Sequence, residues 1–439
     1  MKHLKSYIIL LICATVVCCL LLFLSGLLPQ ERIRMHLEAS LYQLEHDEDY
    51  PNPIDLKRWS DYRDTYSEDL MLLHSYYTDT KENPKSILSN PVYSNSYIPM
   101  IPKMKQVFAS QILPNPSDYY VNYWMGFRAP LRLLLTFLTY PQTLRFLTIT
   151  VLLLFSLSII KLYHYTGGVQ IPILFTISFL LMNPIVLCSS FHSGLCFIVA
   201  FVGILLLPKD ELHSLRTFPK HFFLIGILTQ YLDFYTAPLV TFGLPIVSLL
   251  LINYYQKNNY RTTRQQIKLV TKCFLGWVSG YVLIWIIKLG LTTLFTDINA
   301  FDIGFTKFFA WTGTSRRGIE IGIKWGYERN PLRALSRVFS KLLLDNLYVT
   351  VLALVGITMI WFFRLIIVSR QDLSIMNRIL KGLPYLVVAF IPLIWYSVTS
   401  AATIVHARYQ YRMLAVFVYG YGAFICETLS TQPSQKELN

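Results

Sequence analysis

Four carboxylates form the best candidate for a reactive site in this sequence. Asp61, Asp64 and Glu68 are spaced so that they would share one face of a helix, and Asp69 follows directly. Clustered carboxylates near a membrane can hold a divalent cation such as Mg²⁺ or Mn²⁺, or accept a proton from a hydroxyl group. The alternative is a solvated acidic surface with no chemical role.

The position of Asp69 favours it as a general base. It precedes the apolar run 70–73, so the segment can fold back towards a membrane and partly bury this carboxylate. Partial burial suits a carboxylate to proton abstraction. We therefore rank Asp69 first and Glu68 second as catalytic residues. Asp61 and Asp64 lie in a more polar stretch, and we expect them to contact a metal or the acceptor.

A second candidate stretch combines aromatic and cationic residues. Trp124 and Arg128 stand before an amphipathic run at 131–138, which is too short to span a membrane and would lie in its interface. Aromatic rings at this depth can stack on a sugar, or they can form an interfacial belt. We expect Trp124 and Arg128 to bind substrate, with the belt as the alternative.

Basic residues spaced four apart indicate an anion-binding helix farther along the chain. Arg333, Arg337 and Lys341 would form one stripe of a helix with an apolar flank. Such a helix would lie on the outer surface of the membrane, with its cations available to a phosphate. Nonspecific contact with lipid headgroups is the alternative.

Four further ionisable residues lie in or beside apolar runs. Asp233 lies at the junction of two runs, Lys288 lies several residues inside one, and His406 and Arg412 come just before or at the start of the last. Ionisable groups at membrane depth are costly, so a function is expected for them. Lys288 could instead extend its amine to the interface. We predict that all four contribute to substrate binding.

The composition of the chain shows what kind of scaffold must position these residues. Of 439 residues, 54% are hydrophobic and only 15% are charged, and the mean hydropathy is +0.44. So few charges cannot cover a soluble surface of this size. The sequence predicts an all-α polytopic membrane protein with about ten transmembrane helices. The predicted spans are 7–28, 144–162, 168–188, 191–207, 221–236, 238–254, 273–293, 347–367, 383–400 and 411–428.

The net charge of +14 does not indicate nucleic acid as a partner. The Lys and Arg residues lie between the apolar runs, where they orient spans and contact anionic headgroups. The expected surrounding is therefore a lipid bilayer, and nucleic-acid binding is excluded as a function class.

Positive charge in the short loops predicts the orientation of the chain. Lys and Arg are concentrated at 209–220, 255–272 and 368–382, which the positive-inside rule places in the cytoplasm together with both termini. Two long segments then lie outside. The predicted organisation is an anchor span (1–28), a first outer segment with the acidic and aromatic motifs (29–143), spans two to seven (144–293), a second outer segment with the basic helix (294–346), and spans eight to ten with a cytoplasmic tail (347–439).

Several short motifs, taken in order, resemble a bacterial family of multi-pass membrane proteins that is associated with cell-surface polysaccharide loci. The architecture is similar to that of the GT-C class of glycosyltransferases. The matching pieces follow most of the chain: the carboxylates after the first span, Trp124-Met125-Gly126-Phe127 with Arg128, Leu232-Asp233-Phe234 with Pro238-Leu239-Val240-Thr241, Gly280-Tyr281 with Trp285 and Lys288, and His406 with Tyr411-Arg412.

This resemblance implies an inverting sugar transfer at the outer face of the bacterial inner membrane. The donor would be a polyprenyl-phosphate sugar, and the acceptor a glycan or glycolipid of the cell surface. An acidic residue of the first outer segment would deprotonate the acceptor hydroxyl, which attacks the anomeric carbon in line. Arg and Lys side chains would hold the donor phosphate and stabilise its departing charge.

Two other classes of membrane protein remain open. A polysaccharide polymerase or ligase also has about ten spans and large outer loops rich in arginine. A flippase or transporter of lipid-linked glycans is the alternative without catalysis, and it would show internal repeats and charged or broken helices at the membrane midplane. The sequence has no convincing repeat, and its charges lie at the outer boundary of the spans.

Overall fold

A computed structural model describes most of the chain. The described residues are 2–46, 65–78, 85–92, 105, 108, 118–207, 214–233, 235–255, 262–314, 329–370 and 374–430. Asp61 and Asp64 lie outside these residues, so the structure places Glu68 and Asp69 but not the other two carboxylates.

Helices form nearly all of the described regular structure. They are α1 (Lys2–Gly26), α2 (Gln30–His46), α3 (Thr65–Tyr76), α4 (Ser86–Ser89), α5 (Arg128–Leu135), α6 (Tyr140–Thr166), α7 (Gln170–Leu180), α8 (Pro184–Cys188), α9 (Phe191–Leu205), α10 (Ser214–Leu232), α11 (Val240–Tyr255), α12 (Thr263–Phe295), α13 (Ala300–Thr312), α14 (Pro331–Ser340), α15 (Leu347–Ser369), α16 (Ile375–Val398), α17 (Ser400–Gln410) and α18 (Leu414–Leu429). A 3₁₀ turn (Tyr411–Met413) joins the last two helices. Strands β1 (Pro91–Val92) and β2 (Asp118–Tyr119) form one short antiparallel pair, in which Pro91 faces Tyr119.

The prediction of an all-α polytopic membrane protein is confirmed. Among the described residues, six helical segments are long and apolar enough to cross a membrane: Leu4–Gly26, Tyr140–Thr166, Thr263–Phe295, Leu347–Ser369, Ile375–Val398 and Ser400–Leu429. The helices α7, α9 and α11 are apolar but shorter. Each of the ten predicted runs overlaps at least one helix, and the run 168–188 is divided between α7 and α8. The number of ten transmembrane helices stays a prediction.

Local sequence signals explain where several helices begin and end. The long helices α6 and α12 each begin with a capping box, in which Thr139 pairs with Gln142 and Thr262 with Gln265. Helix α6 ends at Gly167, whose φ of 67° a residue with a side chain would rarely adopt. Asparagine side chains cap the N-termini of α14 and α15.

Three glycines bring α10 and α12 into direct backbone contact. A Cβ atom added at Gly226, Gly276 or Gly280 would lie less than 3.0 Å from a backbone oxygen of the opposite helix. Gly276 and Gly280 are four residues apart, which places both on the same face of α12. Small residues at this spacing allow helices to approach closely in a membrane. We call these three residues the glycine contact.

The anchor helix α1 packs against α5, α10 and α12, and the buried helix α11 lies between α9 and α18. Almost every side chain of α11 is buried. Short helix α14 packs on α15, α16 and α17. The two predicted outer segments therefore fold onto the ends of the apolar helices through α3 to α5 and through α13 and α14.

Candidate functional site

The N-terminus of α9 accepts a carboxylate from a distant part of the chain. Glu68 Oε2 accepts a hydrogen bond from the backbone N–H of Phe191 at 3.0 Å, and its Oε1 accepts one from the backbone N–H of His192 at 3.4 Å. The N-cap residue Ser190 makes no side-chain cap. Glu68 therefore satisfies two donors that the helix itself leaves unpaired, and it joins α3 to α9.

His192 forms a buried pair with the same carboxylate. Its Nδ1 atom contacts Glu68 Oε1, so this nitrogen must carry the proton in a hydrogen bond. The other ring nitrogen, Nε2, is buried and makes no hydrogen bond within the described part of the chain. An imidazole with Nδ1 fixed by a carboxylate and Nε2 without a hydrogen-bond partner is suited to orient or exchange a proton.

Asp233 reaches the same helix from the end of α10. Its Oδ1 accepts a hydrogen bond from the backbone N–H of Thr236 at 2.8 Å and a weaker one from Cys196 Sγ at 3.2 Å. Its second oxygen, Oδ2, is buried and has no partner among the residues described. The sequence predicted a functional role for Asp233; the structure shows it buried beside α9, and the role itself stays a prediction.

A guanidinium completes the arrangement. Arg412, which is 3% exposed, donates from Nη1 to Ser193 Oγ at 3.1 Å. Ser193 and Cys196 are three residues apart, so Arg412 and Asp233 contact the same face of α9. We define the α9 cluster as Glu68, His192, Asp233 and Arg412.

The sequence predicted three members of the α9 cluster and missed His192. More than 150 residues separate Glu68 from Asp233, and more than 150 separate Asp233 from Arg412. Only the fold brings these three residues together. The signal for His192 was present, because it is an ionisable residue at the start of the apolar run 191–207. That run had been interpreted as an ordinary span.

Aromatic rings extend from the α9 cluster to the second outer segment. The rings of His192 and Tyr409 lie 6.1 Å apart, those of Tyr409 and His406 5.1 Å apart, and those of His406 and Trp311 5.0 Å apart. Trp311 in turn stacks on Tyr235 with a ring separation of 6.3 Å. Flat aromatic faces of this kind are suited to stack on sugar rings.

Two backbone irregularities occur in this aromatic surface. Tyr235 has a φ of 61°, an unfavourable left-handed conformation for a bulky residue. Its ring packs against Trp311 and Trp395, which holds the backbone in that conformation. His406 has non-helical dihedral angles, which bend α17 at that residue. Strained backbone is common where side chains are aimed at a ligand.

Asp69 lies next to Glu68 in α3 and is buried, with 5% of its surface exposed. The apolar residues that follow, Leu70 to Leu73, are buried as well. The expected burial of this carboxylate is therefore present, while its role as a base stays a prediction. Within the described residues, no group of three or more His, Cys, Asp or Glu residues is arranged to hold a metal ion.

Trp124 and Arg128 are both inside the protein rather than on a membrane-facing surface. Trp124 donates its indole N–H to the carbonyl of Ile284 at 2.9 Å. Arg128 donates to Thr78 Oγ1 at 3.2 Å and to the carbonyls of Ile87 and Met125 at 3.0 and 3.1 Å. The Trp124 contact fastens this part of the chain to α12, whereas the Arg128 contacts join residues 78, 87 and 125 to one another. Substrate contact by either residue stays a prediction.

The buried cation Arg128 also affects His74. Burial and, to a smaller extent, the nearby positive charge of Arg128 together lower the pKa of His74 to about 3. His74 is therefore neutral at physiological pH, and its protonation would place a second positive charge beside Arg128.

Lys288 is fully buried among protein groups. Its amine donates to the carbonyl of Leu88 and, at 2.8 Å, to Thr292 Oγ1. Because Arg128 bonds the adjacent carbonyl of Ile87, two buried cations hold the C-terminal end of α4. The structure shows an architectural contact for Lys288, and a role in substrate binding stays a prediction.

The three basic residues of the predicted stripe have different surroundings. Arg333 is exposed. Arg337 donates to the carbonyl of Ile404 at 2.8 Å, just before the bend at His406, and Lys341 pairs with Asp345. The helix of the prediction is present at Pro331–Ser340. Arg333 is more exposed than Arg337 and Lys341, and Arg337 supports the aromatic surface through α17.

An apolar groove is open to the surface near the C-terminal end of α10. It has a volume of about 430 Å³ and lies between α1, α5 and α10. Its lining is almost entirely apolar and includes Leu24, Pro130, Tyr231 and Leu232. None of the residues of the α9 cluster lines this groove, although Leu232 of its lining directly precedes Asp233 in the sequence.

Comparison with known proteins gives no relative for this chain: no protein-family model matches the sequence, and no curated protein and no solved structure matches it.

Proposed function

We propose that this protein is a membrane glycosyltransferase that transfers a sugar from a polyprenyl-phosphate donor to a cell-surface glycan or glycolipid. The observation that carries this proposal is the α9 cluster. It places two carboxylates, an imidazole and a guanidinium at the N-terminal part of one helix, beside aromatic rings. A separate apolar groove lies between α1, α5 and the C-terminal end of α10. Transfer from a lipid phosphate requires each of these features: a proton acceptor, a cation for the phosphate, surfaces for the sugar and a path for the lipid.

In this proposal the hydroxyl oxygen of the acceptor attacks the anomeric carbon of the donor in line. The bond between that carbon and the phosphate oxygen breaks, and the polyprenyl phosphate leaves with the electron pair. The hydroxyl proton passes to the Asp69 carboxylate. Glu68 is less suited to this step, because both of its oxygens already accept hydrogen bonds from the first turn of α9. Glu68 and His192 instead position α3, and with it Asp69.

Arginine side chains would bind the leaving phosphate. A guanidinium donates two parallel hydrogen bonds to a phosphate and stays charged when buried, which favours Arg412 near the α9 cluster. Exposed Arg333 would attract the anionic donor to the outer surface. Charge stabilisation at the departing phosphate accelerates the transfer because that charge grows in the transition state.

The proposed orientation places this chemistry outside the cytoplasm. Ten spans with both termini in the cytoplasm of a bacterium would put α3, α5, α13 and α14 on the outer face of the inner membrane, as in the GT-C architecture. The positive charge of the three short loops supports this orientation. The apolar groove would then open to the outer leaflet, where a polyprenyl-phosphate sugar could enter from the side.

The test measures sugar transfer and donor binding in the same purified protein. We expect Asp69→Asn to bind a polyprenyl-phosphate sugar normally but to lose turnover by about a hundredfold or more, since the amide cannot accept the proton. The matched control is Asp302→Asn, which changes an exposed aspartate at the first turn of α13. This control should turn over at the rate of the unchanged protein.

Two results would contradict the proposal. Near-normal turnover of Asp69→Asn would remove Asp69 from the role of base. The surface glycan of a deletion strain gives the second test: truncated side chains are expected for a transferase, whereas loss of long chains alone would indicate a polymerase instead.

A further inference from the structure

A second groove lies at the opposite end of α10 from the α9 cluster. It has a volume of about 530 Å³ and is bounded by α1, α10 and α12. Pro219 in this groove and Asp233 in the α9 cluster are 14 residues apart, so the two lie about 20 Å from each other along the helix axis. The groove is therefore separate from the proposed site of sugar transfer.

The walls of this groove are apolar and open outwards. Leu4 and Leu275 on its rim are 67% and 57% exposed, which is typical of side chains that face lipid. Tyr7 and Phe223 pack edge to face at 5.1 Å between α1 and α10. The floor is closed by the glycine contact, since Gly276 lies against the carbonyl of Pro219. A ligand can enter from the side but cannot pass between the helices.

The mouth of the groove carries positive charge only. Lys220 and Lys272 line it from α10 and α12, and none of the lining residues is acidic. Within the described residues, neither lysine takes part in an ion pair. Two cations above an apolar channel complement a ligand with an anionic head and a hydrocarbon tail.

The length of the groove indicates the kind of ligand. Lys272 and Leu283 mark its ends on α12, and 11 residues of helix extend about 16 Å. The hydrocarbon core of a bilayer is about 30 Å thick, so the groove matches the acyl chain of one leaflet. A folded protein partner would need a wider surface, and a free anion would make no use of the apolar walls.

We propose that this groove binds one anionic phospholipid from the leaflet that surrounds the N-terminal end of α1. The phosphate lies between Lys220 and Lys272, and an acyl chain lies along Leu275 and Leu283. The bound lipid fills the space between the anchor helix and the α10–α12 pair. It thereby fixes the position of α1, whose other end packs on α5.

The test uses native mass spectrometry of the purified protein with added phosphatidylglycerol. We expect one retained phosphatidylglycerol per chain, and about thirtyfold weaker binding by the double variant Lys220→Ala/Lys272→Ala. The matched control is Arg264→Ala/Lys268→Ala. It removes the same charge from exposed positions on α12 that do not line the groove, and it should bind normally.

A second variant tests the apolar part of the groove without changing its charge. Ser279 is exposed and lines the groove, so Ser279→Trp should fill the channel and displace the lipid while the protein still folds. Phosphatidylcholine should bind at least tenfold more weakly than phosphatidylglycerol, and glycerol phosphate should not bind.

Four outcomes would overturn the proposal. Equal losses of phosphatidylglycerol binding in the groove variant and in its control double variant would indicate nonspecific attraction of the lipid to surface charge. Retention of phosphatidylcholine equal to that of phosphatidylglycerol would show that the two lysines do not select an anionic lipid. Normal lipid binding by Ser279→Trp would place the lipid elsewhere, and binding of glycerol phosphate with the affinity of the lipid would indicate a site for free phosphate.

Discussion

Replacement of Glu68 separates a structural role from a catalytic one. In Glu68→Ala, the backbone N–H groups of Phe191 and His192 lose their acceptor, and the His192 ring loses its partner. All of these groups are buried, so water does not replace the carboxylate. Each buried donor that loses its acceptor costs about 1–3 kcal/mol, and three donors are affected, so the total is at least about 3 kcal/mol. We therefore expect the unfolding midpoint to fall by at least about 3 °C.

Thermal unfolding in detergent, followed by tryptophan fluorescence, measures this effect. Glu68→Gln keeps one acceptor oxygen for the helix N-terminus and should cost only about 1–2 kcal/mol. The matched control is Glu38→Ala, which breaks the exposed Arg34–Glu38 pair of 2.9 Å and should cost less than about 1 kcal/mol. The double variant Glu68→Ala/His192→Ala should be less destabilised than the sum of its two single changes.

Unfolding of Glu68→Ala at the same temperature as Glu38→Ala would refute the structural role of Glu68. A loss of turnover in Glu68→Gln at unchanged stability would also refute it, because that result would make Glu68 the base rather than a residue that positions α3.

Three further predictions test other parts of the structure. A single cysteine at Arg333 should react with an impermeant reagent in intact cells, whereas one at Lys268 should react only after permeabilisation; the reverse pattern would invert the topology. Arg412→Lys should weaken donor binding about tenfold because a lysine cannot reproduce the guanidinium contacts, while the exposed control Arg370→Lys should bind normally in the same assay. The free energy of unfolding should fall by up to a few kcal/mol as the pH decreases from 6.5 towards 3, since unfolded His74 takes up a proton that the folded state, with a pKa of about 3, excludes. His74→Gln should flatten that dependence in unfolding curves, and an unchanged slope would show that other groups cause it.

Local sequence patterns predicted the helices well because those patterns act over a few residues. The run of apolar residues in α15 and the spacing of Arg333 and Arg337 in α14 both predicted helices that the structure contains. Burial after Asp69 was also predictable, since the apolar residues 70–73 follow at once.

The partners of the charged residues could not be predicted in the same way. Glu68 and His192 are 124 residues apart, and nothing in either local sequence indicates the other. Arg128 and Trp124 were interpreted from an amphipathic run, which does not reveal that their donors bond Ile87 and Ile284. Side-chain roles at membrane depth depend on long-range packing, whereas helix positions depend mainly on local hydropathy.

The glycine contact has a mechanical consequence for the whole molecule. Helices can slide past one another when the side chains between them change rotamer. At the glycine contact the two backbones touch directly, so no side chain lies between them to change rotamer. The helices α10 and α12 should therefore move as one body that carries Asp233 at one end and the basic groove at the other. Side chains of α15 are largely exposed by contrast, so α15 has few contacts to lose. A movement between helices would therefore displace peripheral helices such as α15 around this rigid pair rather than open the pair itself.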